Sequence, residues 1–250
     1  MSIVGFWQVF FSRVMHYDEF MGNKIDLIRV GDIGTNCWLY PLEPNPASSG
    51  KQPCVVIDPG DESSLIISRL RELHWLPRYV FLTHGHYDHV AALPDLAETF
   101  REESGGAFPQ IGIHRLDAHY LGKDSLEIHR SSMSAAGGSA AYVDALWKAL
   151  PPADILFEEG DQAGPFKVMH VPGHTQGSVS FYDEKAGVLF SGDTLFMGSW
   201  GRTDLPGGNE RQLYQSLSRL LSMNGEIVVC PGHGPATCIK DEQRLIRHYL

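Results

Sequence analysis

From Ile25 onward the chain alternates short apolar runs with Gly and Pro punctuation, and the period of each run predicts its element. IDLIRV (25–30), NCWLY (36–40) and CVVID (54–58) read as strands, the last a near-continuous apolar run of the kind buried on both faces. The Pro- and Ser-rich stretch 41–53 reads as a loop. After Gly60, the residues Leu65, Ile66, Ile67, Leu70 and Leu73 recur on a helical period, with Asp61 or Ser63 as N-cap. RYVFLT (78–83) is the next strand, and helices are predicted over 90–103, 115–121 and 140–149, with Gly137-Gly138 as a break before the last. In the second half, FKVMHV (166–171), SVSFYD (178–183), GVLFS (187–191) and EIVVC (226–230) read as strands. Asn209 caps a helix that carries Leu213, Leu217, Leu220 and Leu221, and a final helix is predicted over 241–250. Strands alternating with helices argue an α/β fold. No linker separates the halves, so residues 22–250 read as one domain and residues 1–21 as an N-terminal extension of uncertain role.

Composition narrows the function classes. The apolar run at 3–11 is far short of the roughly 20 residues a spanning helix needs, and no basic residue precedes it, so neither an anchor nor a signal peptide is expected. With 20 Lys plus Arg against 30 Asp plus Glu, the formal charge is −10. Such a surface repels phosphate backbones, so the expected partner is a small-molecule substrate rather than nucleic acid or a membrane. Four cysteines (Cys37, Cys54, Cys230, Cys238) form no C-x-x-C pair and are too few for a disulfide scaffold, which points to reduced thiols and a cytoplasmic location.

The chemistry is concentrated where strands end. Thr83-His84-Gly85-His86-Tyr87-Asp88-His89 places three imidazoles and a carboxylate within six residues, just after one strand and just before a helix. These are metal-ligand types at metal-ligand spacing. His84 and His86, two apart in extended chain, project to one side, and Asp88 and His89 can address a second position. Pro172-Gly173-His174-Thr175, Ser191-Gly192-Asp193-Thr194 and Pro231-Gly232-His233-Gly234 each set one further ligand type beside a glycine at a strand end. His16, His74, His114, His119, His129 and His248 stand outside any such grouping and read as packed or solvated side chains.

HGHYDH, PGHTQGS, FSGDTLF and PGHG, in this order, together with Asp58 in VVIDPGD, resemble the five-motif signature of the metallo-β-lactamase fold over about residues 25–240. The resemblance implies a four-layer αββα sandwich with the site at one edge of the two sheets. It implies one metal on His84, His86 and His174, a second on Asp88, His89 and His233, and Asp193 bridging them. Asp58 is implied to support the histidine loop from behind. His170 competes with His174, which is preferred because it holds the P-G-H-T position.

Two divalent ions, zinc first and iron or manganese also accommodated, bring the pKa of a shared water near neutrality and hold it as a bridging hydroxide nucleophile. Asp88 and Asp193 are the catalytic carboxylates on this reading. Within the superfamily, LFMGSWGRTDLPGGN (195–209) resembles the short bacterial branch of the glyoxalase II-type thioester hydrolases, which implies small anionic thioester substrates and makes Arg202 a candidate anchor for a substrate carboxylate, the other reading being a structural loop arginine. Seventeen residues follow His233, too few for the C-terminal helical domain of full-length glyoxalase II, and the run His233-Gly234-Pro235-Ala236 lacks that group's tyrosine. Glutathione specificity is therefore not part of the expectation. The alternatives are a persulfide dioxygenase, with one iron on His84, His174 and Asp193, and a lactonase or β-lactamase.

Overall fold

The computed structural model describes residues 25–43, 50–103 and 109–249. The extension set apart at 1–21 lies outside them, as does His16. Strands β1 (Asp26–Val30), β2 (Thr35–Pro41), β3 (Gln52–Ile57), β4 (Trp75–Phe81), β5 (Gln110–His114) and β6 (Ile155–Phe157) form one sheet in chain order. The first three pair antiparallel and the last four pair parallel. Strands β7 (Gln162–Ala163), β8 (Phe166–His170), β9 (Val179–Asp183) and β10 (Val188–Gly192) open the second sheet. A small hairpin, β11 (Leu195–Phe196) and β12 (Ser199–Trp200), precedes β13 (Val228–Pro231) and β14 (Thr237–Cys238), and the order is β14-β13-β10-β9-β8-β7.

Period-two alternation sorts the side chains into layers. On β3, Val55 and Ile57 face the second sheet, where they join Trp38, Phe81, Phe166, Phe181 and Phe190 in one buried cluster. Cys54 and Val56 face the other way, against Ile66 and Leu70 of helix α1 (Ser63–Glu72). Helix α2 (Tyr87–Val90) and helix α3 (Leu93–Glu103) cover the same face, with Leu93, Leu96 and Phe100 buried. Helix α4 (Leu126–Ala135) and helix α5 (Ala140–Leu146) follow in the chain. On the far side, helix α6 (Glu210–Leu220) buries Leu213, Leu217 and Leu220 against Val171, Leu189 and Val229, and helix α7 (Ile239–Leu245) adds Ile239. The result is the αββα sandwich. No helix of the described residues is long and apolar enough to cross a membrane. All four cysteines are buried and unpaired.

Several predicted elements shift, each for a local reason. Helix α1 is capped by neither Asp61 nor Ser63: Glu62 takes the cap position with φ 46°, because Ser63 Oγ donates to Asp95 instead. The helix predicted over 90–103 is two helices, interrupted at Ala91-Ala92. Residues 115–120 form a 3₁₀ turn, and the helix predicted over 140–149 ends at Leu146, where Trp147 turns extended. The last predicted helix starts two residues earlier, at Ile239, and gives way to a 3₁₀ turn at Arg247–Tyr249. Strands β5 and β6 and helix α4 carry no strong period. Gly112 breaks the apolar pattern of β5, standing where a Cβ would meet the Phe157 ring, and β6 has three residues. Helix α4 is rich in Ser, which favours turns over helix interiors.

Candidate metal centre

Four strand-end loops bring the predicted residues to one edge of the sandwich. The loop after β4 carries His84 and His86, and the first turn of α2 presents Asp88 and His89. His174 follows β8, Asp193 follows β10, and His233 follows β13. The ligand-type atoms form three overlapping groups, each within 4.8 Å: His84, His86 and His174; His84, His89 and Asp193; Asp88, His89 and His233. Asp193 reaches across the middle, 3.5 Å from His89 Nε2 and from His233 Nε2, and 3.7 Å from His174 Nε2.

The surroundings fix which ring nitrogens face inward. His174 Nδ1 sits 2.8 Å from the Arg202 carbonyl, which only accepts, so Nδ1 carries the hydrogen and Nε2 presents its lone pair. Thr83 Oγ1 donates to Asp58 Oδ2 at 2.6 Å and therefore accepts from His84 Nδ1 at 3.1 Å, which frees His84 Nε2 in the same way. Asp58, backed by the Thr83 amide, also lies 3.0 Å from His89 Nδ1 at ion-pair distance without hydrogen-bond alignment. Asp88 Oδ2 accepts from Thr35 Oγ1 and lies 3.2 Å from His233 Nε2.

The donor set fits divalent cations. His84 Nε2 and Asp193 Oδ1 are buried without a hydrogen-bond partner, a costly arrangement for polar atoms with nothing to bind. His86 Nδ1 and His174 Nε2 face each other at 2.9 Å and need a proton or a cation between them. Burial, followed by the neighbouring imidazoles, holds the pKa of His84 and His86 well below the usual histidine range, so both would meet a cation as neutral imidazoles. Burial alone would raise Asp88, but His89 and His233 beside it hold its carboxyl well below the usual range. For His89, burial is outweighed by Asp88, Asp193 and Asp58, which push its pKa well up. A cation bound at His89 would displace the proton held there.

The sequence model of the metallo-β-lactamase superfamily matches residues 30–233. The chain belongs to the metallo-β-lactamase superfamily. It is 35% identical to a probable metallo-hydrolase, YqgX, of Bacillus subtilis, over 76% of this chain and 84% of that protein. It is 32% identical to the hydroxyacylglutathione hydrolase GloC of Haemophilus influenzae, over 88% of this chain and 95% of that one. Among solved structures it resembles TTHA1623 in a di-iron-bound form, at 34% identity and TM-score 0.71, over 88% of this chain and 98% of the other. The chain is a metallo-hydrolase of the superfamily with His-rich candidate metal positions.

Tight backbone packing holds the superfamily's loops in place. A Cβ on Gly232 would overlap Asp193 Oδ1, and one on Gly201 would overlap the Asp193 carbonyl. Gly192, at φ 52°, leaves room for Thr83. The β2 strand is pinned to the His233 loop by Asn36 Nδ2 and Trp38 Nε1, which both donate to the Pro231 carbonyl.

Other residues stand apart from the cluster. His170 turns away: its ring stacks on His114 at 4.1 Å and its Nε2 donates to the Gln176 carbonyl. His129 packs among Tyr87, Tyr120 and Trp147, while His119 and His248 lie against neighbouring tyrosines. His74 takes φ 56° in the turn after α1. Arg202 reaches the site through its carbonyl, and its guanidinium is held by Asp204. Asp117, a buried carboxylate bonded to the loops of both sheets, went unread in the sequence because no motif marks it.

Proposed function

We propose that the chain hydrolyses small anionic thioesters with two divalent ions bound, as a glyoxalase II-like member of its superfamily. The observation that carries the reading is the shared position of Asp193, in reach of histidines from both halves of the cluster. His84, His86 and His174 would hold one ion, and Asp88, His89 and His233 the other, with Asp193 common to both. Bound divalent ions would supply Lewis acidity towards a carbonyl and a water activated near neutral pH.

The chain's own residues do the rest. Asp88 and Asp193 offset only two of the four positive charges, so the mouth keeps an excess of about +2 in a protein of net charge −10. That local field favours a substrate with a carboxylate near its scissile bond and gives no track for a polyanion. Arg202, whose carbonyl fixes His174, would take the substrate carboxylate as Asp204 yields it. The likeness to GloC along nearly its whole length supports the thioester class.

The test is metal content per chain after purification without added metal or chelator, followed by a thioester panel read by thiol release. Two metals and thioester turnover are expected. One iron with persulfide-dependent O₂ uptake would move the chain to the dioxygenases, and turnover of a chromogenic β-lactam without thioester turnover would move it to the lactamases.

A further inference from the structure

We propose that Asp117 is the positioning residue for His84, His86 and His174, setting their metal affinity separately from that of Asp88, His89 and His233. This rests on the metal-binding part of the reading above and not on its substrate. Asp117 sits in the 3₁₀ turn after β5, on the first sheet, and is fully buried. Its Oδ2 accepts from the Gly85 amide at 3.0 Å and from Thr175 Oγ1 at 2.7 Å, and its Oδ1 accepts from the Gly177 amide at 2.7 Å. Gly85 lies between His84 and His86, and Thr175 follows His174. One carboxylate thus fastens a loop of the first sheet to a loop of the second, one residue away from all three imidazoles.

The arrangement is built for an anion. All three partners are donors, and Thr175 Oγ1 is free to donate because its own acceptor side faces Ser178 Oγ at 2.8 Å. An amide in place of the carboxylate would turn an N–H towards one of these donors. The approach is also sterically locked: a Cβ on Gly177 would lie 2.6 Å from the Asp117 carboxylate, and one on Gly85 would overlap the Tyr120 ring. None of these contacts touches Asp88, His89 or His233. Residues behind the ligands typically change metal affinity about tenfold to a hundredfold.

The experiment titrates the metal-free full chain with Co(II), read by visible absorption, and records the thermal midpoint of the metal-free protein. In Asp117→Asn one of two binding steps should weaken about tenfold to a hundredfold while the other stays at its wild-type value. Thr175→Val, which removes a single donor, should weaken the same step less, and it decides the matter if Asp117→Asn does not fold. Both steps unchanged, or both weakened equally alongside a lower midpoint, would overturn the proposal and leave Asp117 a purely structural link. A wild-type chain that takes up no metal would sink the functional reading itself, and this role with it. Two wild-type ions without thioesterase activity would sink the substrate class alone.

Discussion

The Arg202 guanidinium and the Asp204 carboxylate face each other through two hydrogen bonds, Nε to Oδ1 at 2.7 Å and Nη2 to Oδ2 at 2.8 Å. The pair is exposed, so it adds little to stability, and on the proposed reading a substrate carboxylate would replace Asp204 on the same fork. Arg202 holds the Asp204 carboxyl down to about 2, so the competitor is charged at any working pH. Arg202→Ala should raise KM for anionic thioesters about tenfold to a hundredfold with kcat little changed. Asp204→Asn should lower KM by removing the competitor. If steady-state kinetics show neither change, the pair serves only to shape the loop.

Asp193 lies within 3.7 Å of His89, His174 and His233, so on the proposed reading both positions would share its carboxylate. Asp193→Ala should reduce bound metal at both, to less than one ion per chain by elemental analysis. A variant that retains two ions would refute the bridge.

Gly232 has no room for a methyl group between Asp193 Oδ1 and His89 Cε1. Gly232→Ala should leave the sheets intact by circular dichroism yet lose metal and activity together, since the displacement falls on two ligand types at once. Full metal content in this variant would show that the β13 loop can give way.

His129 is buried, with Nε2 donating to the Tyr120 carbonyl and Nδ1 facing no partner. Burial holds its pKa down at about 4, against 6.5 in the unfolded chain. The unfolded chain therefore takes the proton first. The stability tied to neutral His129 is complete above about pH 6.5 and is lost as pH falls towards 4, up to about 3 kcal/mol. Urea unfolding of wild type and His129→Gln between pH 7 and 4.5 should converge as pH drops. Parallel curves would show that another group controls the acid limb.

The candidate metal-binding residues are legible in the sequence because their types are chemically rare and most sit beside glycines at strand ends. The structure groups His84, His86, Asp88, His89, His174, Asp193 and His233 at one edge of the sandwich, where they could hold metal. The sequence exposed the buried strands equally well, since Val55, Val56 and Ile57 can belong only in an interior. What it hid are features that depend on partners far along the chain. Asp117 looks like any polar residue of a turn until Gly85 and Gly177 are folded against it. The three-residue strand β6 gains its identity from pairing with β5 and from no pattern of its own.

The four buried cysteines have a chemical consequence. Burial pushes the thiols of Cys37, Cys54 and Cys230 well up, and Cys238 is raised by burial and by Asp241, so none offers a thiolate at neutral pH. On the thioesterase reading, an activated acyl group arriving at the mouth would meet no cysteine thiolate on the protein. A thiol set free there would likewise find no reactive cysteine with which to form a mixed disulfide.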